Sequence, residues 1–154
     1  MRKFPLIIAI VFVIAGILSL SFIHPHGRNS IVNGGGSAME GGVKSTFVFN
    51  AINQNGNVNG HLVYHLRVNN TRFFMQLDCM QIDGNRATLS GTVTEVSGSN
   101  IPYYIYPGAS ASFTVEDNGK GGDKDRISDV VFGAQCSDDL NTYLSIQGNL
   151  TVKE

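Results

Sequence analysis

Between Arg72 and Val93, apolar and polar residues alternate in two runs that meet at Asp83-Gly84-Asn85. In the first run Phe73, Met75, Leu77 and Cys79 fall on one face; in the second, Ala87, Leu89, Gly91 and Val93 do. Successive side chains of a strand point to opposite faces, so a period of two interrupted by Gly, Asn and Asp predicts a β-hairpin. The same pattern recurs elsewhere. Residues 43–51 put Phe47 and Phe49 on one face, and residues 58–68 turn Leu62, Tyr64, Leu66 and Val68 inward. Residues 110–117 alternate through Phe113 and Val115, and residues 126–133 carry Val130, Val131 and Phe132. Residues 143–152 align Leu144, Ile146, Leu150 and Val152, with Gly148 at a position suited to a bulge. Pro102 and Pro107 reduce residues 101–106 to an edge strand or an ordered loop.

Eight or nine strands and no helix follow for residues 43–154. Short connections favour an antiparallel meander, and so many strands must hide their edges. The expected fold is all-β, a closed or nearly closed barrel, with a β-sandwich as the alternative.

Two segments precede this domain. Met1-Arg2-Lys3 is a short positive region, followed by an uncharged apolar stretch from Leu6 to Ile23. Its length lies between a signal-peptide core and a membrane span, so residues 1–23 read as a signal peptide or a membrane anchor. Either places the following chain outside the cytoplasm. Cleavage after Ser21 would leave Phe22-Ile23-His24 as a terminus with copper-binding nitrogens. Residues 24–42 contain Gly34-Gly35-Gly36 and Gly41-Gly42 and read as a flexible linker.

Charged residues make up 15% of the chain, below the usual share of about 25%, and the net charge is −1. No basic stripe marks a nucleic-acid partner. Outside the cytoplasm, two cysteines are most simply one disulfide, Cys79 to Cys136.

Candidate chemistry is sparse. Residues 116–129 gather acids among glycines, and Asp117, Asn118, Asp123 and Asp125 are the best calcium ligands in the chain. Lys120, Lys124 and Arg126 oppose that field, and the spacing is not that of an EF-hand. His61 and His65 are about 13 Å apart along a strand, too far to share a metal. No nucleophile, base and orienting group fall at workable spacing, so a non-enzymatic role is expected. Tyr103, Tyr104 and Tyr106, held between prolines, form either a binding surface or a cap on the barrel. Asn69 and Asn149 begin glycosylation sequons.

A set of local motifs runs through the domain: Thr46-Phe47-Val48-Phe49-Asn50-Ala51, Gly84-Asn85-Arg86-Ala87-Thr88, Gly91-Thr92-Val93-Thr94, Phe113-Thr114-Val115-Glu116-Asp117-Asn118-Gly119 and Asp125-Arg126-Ile127-Ser128. With the glycine-rich segment before it, this order resembles a group of small exported prokaryotic proteins of unassigned function. The resemblance covers residues 43–154, implies export and an all-β domain, and brings no catalytic residues. Residues 101–108 depart from it. The expected role is an exported or surface-anchored binding or structural module; the alternative is a lipocalin-like barrel carrying a small apolar ligand. Partners consistent with this are the membrane, through an uncleaved leader, and a protein or glycan.

Overall fold

The computed structural model describes residues 29–119 and 124–154. The leader, His24 and Asp123 lie outside the described residues. Nine strands follow in chain order: β1 (Ser30–Glu40), β2 (Val43–Gln54), β3 (Asn57–Leu66), β4 (Thr71–Asp83), β5 (Arg86–Gly98), β6 (Ser110–Glu116), β7 (Arg126–Ile127), β8 (Val131–Phe132) and β9 (Leu144–Lys153). Each of β1 to β6 pairs antiparallel with the next, β7 pairs with β9, and β9 returns to β1. The result is a closed eight-stranded barrel, with β8 as an extra strand on the edge of β6. At one seam the closure rests on two residue pairs, Arg126 with Ser145 and Ile127 with Leu144, and among the described residues the rest of β9 has no strand partner on that side.

The barrel corrects the reading of residues 24–42 as a linker. From Ser30 to Glu40 this segment is β1, paired along its whole length with β2 and over residues 31–38 with β9. Its glycines suit close approach rather than freedom. A Cβ on Gly36 would lie 2.5 Å from the Gln147 carbonyl oxygen, and one on Gly34 would run into Leu150 and the Asn149 carbonyl. Gly41 and Gly42, with φ of 56° and 81°, make a two-residue turn into β2. Positive φ at both positions marks a type I′ hairpin, the geometry that also suits Asn55-Gly56 between β2 and β3.

The interior is filled by rings. Phe47 stacks on Tyr64 at 6.2 Å, Tyr64 on Phe73 at 5.6 Å, and Phe49 meets Phe113 edge-on at 5.3 Å. These five rings, with Leu62, Met75, Leu77 and Leu89, are buried in one cluster. An internal ligand would have to displace the core itself.

Two bulges interrupt the central hairpin. Leu77 faces Gly91 and Cys79 faces Ser90, which leaves Asp78 unpaired. A one-residue insertion reverses the alternation beyond it. Met80 and Ile82 therefore pack on the core, and Cys79 turns outward instead of sharing the face of Leu77. A second bulge leaves Thr94 unpaired. The expected bulge at Gly148 is absent: β9 runs in unbroken register with β1. Val68, expected inward, lies beyond the end of β3 and is exposed. The strand expected over residues 126–133 is broken into β7 and β8, both along one edge of β6.

The barrel has two poles. Asn29 enters at one, beside the turns at 55–56 and 84–85 and the end of β9. The far pole carries the turns at 41–42 and 67–70 and the loop at 99–109.

Candidate functional site

The loop at 99–109 holds the three tyrosines. It is two consecutive turns: Ile105 N–H donates to Pro102 O at 3.0 Å, and Ala109 N–H to Tyr106 O at 3.0 Å. In the second, Pro107 takes the position where its fixed φ fits, and Gly108 follows with φ 98°, the signature of a type II turn. The base is clamped to β5 by Val93 N–H to Ala109 O and Gly108 N–H to Val93 O, both 2.8 Å. Ile105 is buried and pins the loop centre into the core. The tyrosines point the other way, with Tyr103 92%, Tyr104 46% and Tyr106 56% exposed. Of this loop's side chains, Ile105 rather than a tyrosine joins the core.

Tyr104 is braced from below. Its ring lies 5.5 Å from Phe132, which meets Phe73 of the core edge-on at 5.6 Å. Tyr103 stands edge-on to Tyr104 at 5.5 Å. Ile101 and Val131 add exposed apolar surface.

Phe132 belongs to the segment that the disulfide fastens. The outward Cys79 is bonded to Cys136, with Cα atoms 6.1 Å apart, as expected. Residues 133–143 run over the outer face of β5 and β6, where Thr88, Ser112 and Thr114 are buried although they point away from the core. These hydroxyls are satisfied: Thr88 and Thr114 Oγ1 are 2.9 Å apart, and Ser112 Oγ donates to Leu89 O at 3.1 Å. At the end of this strap Arg86 donates to Glu116, Thr142, Asp139 and the Leu140 carbonyl. Hydrogen bonds from Thr142 and Asn118 hold the Glu116 carboxyl below its ordinary pKa, aided by the charges of Arg86 and Arg126.

The described calcium candidates, Asp117, Asn118 and Asp125, lie at the entry pole. The Asp125 carboxylate is fully buried and accepts the Asn118 and Leu150 N–H groups, both at 2.9 Å. Asp117 accepts from Gly119 at 3.0 Å and Val152 at 3.2 Å. Asn118 donates to Glu116 Oε1 and Lys124 O, each at 2.9 Å. Strand β7 pairs with β9 only at Leu144 and Ser145, so beyond that point Asp125 and Asp117 supply the acceptors that a longer β7 would have supplied. Among the described residues, no three His, Cys, Asp or Glu side chains gather as a metal group.

His65 hydrogen-bonds Asn70 at 3.3 Å, whereas Asp78 sits six residues further along β4 than its partner Arg72. That is about 20 Å of strand, so His65 and Asp78 do not meet. The two bulges, the strap and the aspartate acceptors had no clear signal in the sequence. The paired positive-φ turn residues Gly41-Gly42 could have revealed β1. Compared with known proteins, the chain matches no family model, no curated protein and no solved structure.

Proposed function

We propose that this chain is an exported, non-enzymatic barrel that binds another protein through the tyrosine loop at its far pole. The observation that carries the reading is the contrast within that loop: Tyr103 is 92% exposed while Ile105, two residues on, is buried. A large aromatic side chain held on a fixed backbone binds with little further loss of entropy, and such residues dominate protein interfaces. The edge-on arrangement of Tyr103 and Tyr104, at 83°, offers no continuous flat face on which a sugar ring would stack. The ring-filled interior disfavours the internal apolar-ligand reading.

Export is supported by the charge-then-apolar leader and by the disulfide, which persists in oxidising compartments. The chain enters at the opposite pole, so a leader retained in a membrane would present the tyrosines away from the bilayer. The test places a photoreactive phenylalanine at position 103 in the producing cells, with position 147, an exposed site on β9, as control. A discrete protein adduct at position 103 and none at 147 supports the reading. Equal labelling, or no adduct at either, overturns it; an adduct of twice the chain mass would make the partner a second copy.

A further inference from the structure

The outer wall of β2 and β3 carries a second surface, near the entry pole and chemically unlike the first. Asn50, Gln54, Asn57, Asn59 and His61 project outward around Ile52 and line a groove of about 590 Å³. The register sets them in adjacent rows: Asn50 opposite His61, Ile52 opposite Asn59, and Gln54 opposite Asn57. No charged side chain lines the groove. The volume lies within the range of small-molecule sites.

Strand propensity does not account for this composition. Asparagine is depleted in strands, where threonine and valine fit the pleated surface better. Asn55 is excused by its positive φ in the turn, but Asn50, Asn57 and Asn59 lie in extended strands. Asn59 Oδ1 accepts from Gln76 Nε2 at 3.0 Å, which extends the carboxamide surface onto β4. Each carboxamide offers both a donor and an acceptor in one plane, the pattern that adjacent hydroxyls satisfy. Lacking charge, the groove gives no compensation to a phosphate, a carboxylate or an ammonium group stripped of water. Ile52 supplies an apolar floor. Opposite it the wall is rigid, since Ala51 and Leu62 are buried and Gly60 sits where a Cβ would strike the Asn50 carbonyl.

From this we infer that the β2–β3 groove is a binding site for an uncharged oligosaccharide. The site goes beyond the protein-binding reading and stands independently of it, on a different part of the wall.

The test titrates the purified full-length chain with neutral hexasaccharides (maltohexaose, cellohexaose and the N-acetylglucosamine hexamer) and with an anionic galacturonate hexamer, followed by NMR of the carboxamide groups. One neutral sugar should bind with a Kd on the order of 1 mM or tighter. The triple variant Asn50→Thr, Asn57→Thr, Asn59→Thr should weaken that binding by about tenfold or more. Its thermal midpoint should hold or rise, because threonine suits these strands better. Four results would each overturn the inference: no response to any neutral sugar at about 10 mM, equal binding of the anionic hexamer, unchanged binding by the triple variant, or a lowered midpoint for that variant. Self-association that the variant abolishes would also overturn it, by giving the groove to a second copy.

Discussion

Asp125 is buried and has no ion-pair partner among the described residues, yet replacing it with alanine should be among the costliest changes in the molecule. Its two oxygens accept the backbone N–H groups of Asn118 and Leu150, and the residue is fully buried. Water replaces a lost acceptor poorly at such a site, and each orphaned buried donor costs about 1–3 kcal/mol. The buried Leu150 donor bears that cost in full and the part-buried Asn118 donor in part, roughly 3–4 kcal/mol together. For a domain of this size that corresponds to a fall in thermal midpoint on the order of 15 °C. Asp125→Asn should lose nearly as much, because its amide nitrogen would confront one of the two donors. Thermal unfolding followed by far-ultraviolet circular dichroism reads the midpoint, and hydrogen exchange at the Leu150 amide reads the local opening. A midpoint within about 2 °C of the parent would refute the argument. So would a calcium-induced rise in the parent's midpoint that Asp125→Asn abolishes, since the carboxylate would then serve a metal.

Other expectations follow from the same geometry. Gly36→Ala should destabilise by about 1–3 kcal/mol through overlap with the Gln147 carbonyl, whereas Gly35→Ala, whose added methyl meets its nearest atom at 3.4 Å, should be close to neutral; equal, negligible effects in urea unfolding would return the glycines to a tether. Replacing both cysteines with serine should cost about 4 kcal/mol for the 57-residue separation, and should loosen Tyr104 as judged by its NMR line shape. Glu116 has a folded pKa below its ordinary value of 4.5, so its contribution is present above that value and is lost as pH falls through the lower, folded one. Glu116→Gln should therefore flatten the stability–pH curve below about pH 4.5, measured by denaturant unfolding across that range.

Alternation made most of the barrel legible. The inward sets Phe47/Phe49, Leu62/Tyr64, Phe73/Met75/Leu77 and Phe113/Val115 are the observed core. Hairpin chemistry was equally local: Gly84, with φ 60° at the first central position, turns β4 into β5. What alternation misses is a strand whose inward residues have no side chains. In β1 the inward positions include Gly34 and Gly36, so the hydrophobic signal vanishes where neighbouring strands pack most closely. The strap over residues 133–143 was invisible for a different reason. It covers a face of threonines and serines, and their burial comes from a tertiary contact that no period in the sequence records. The tyrosines were picked out by their prolines, but their outward direction depends on Ile105 being the residue that plunges inward.

One inserted residue connects the barrel wall to the proposed contact surface. Without the bulge at Asp78, Cys79 would keep the phase of Leu77 and point into the core, out of reach of an external strap. With it, the sulfur emerges on the outer wall and holds Cys136. Three residues separate that anchor from Phe132, whose ring wedges between Phe73 of the core and Tyr104 of the loop. The bulge, the disulfide and the aromatic brace thus act in series, and the rigidity of the tyrosine loop depends on all three. Severing the bond by replacing Cys79 and Cys136 with serine should accordingly disturb the far pole more than the entry pole, because Phe132 and Tyr104 lie toward the far pole. Hydrogen exchange resolved along the chain would decide this, with loss of protection at the Val93 and Ala109 amides and retention at Leu150 as the expected pattern. The reverse pattern would mean that the loop is held independently of the disulfide.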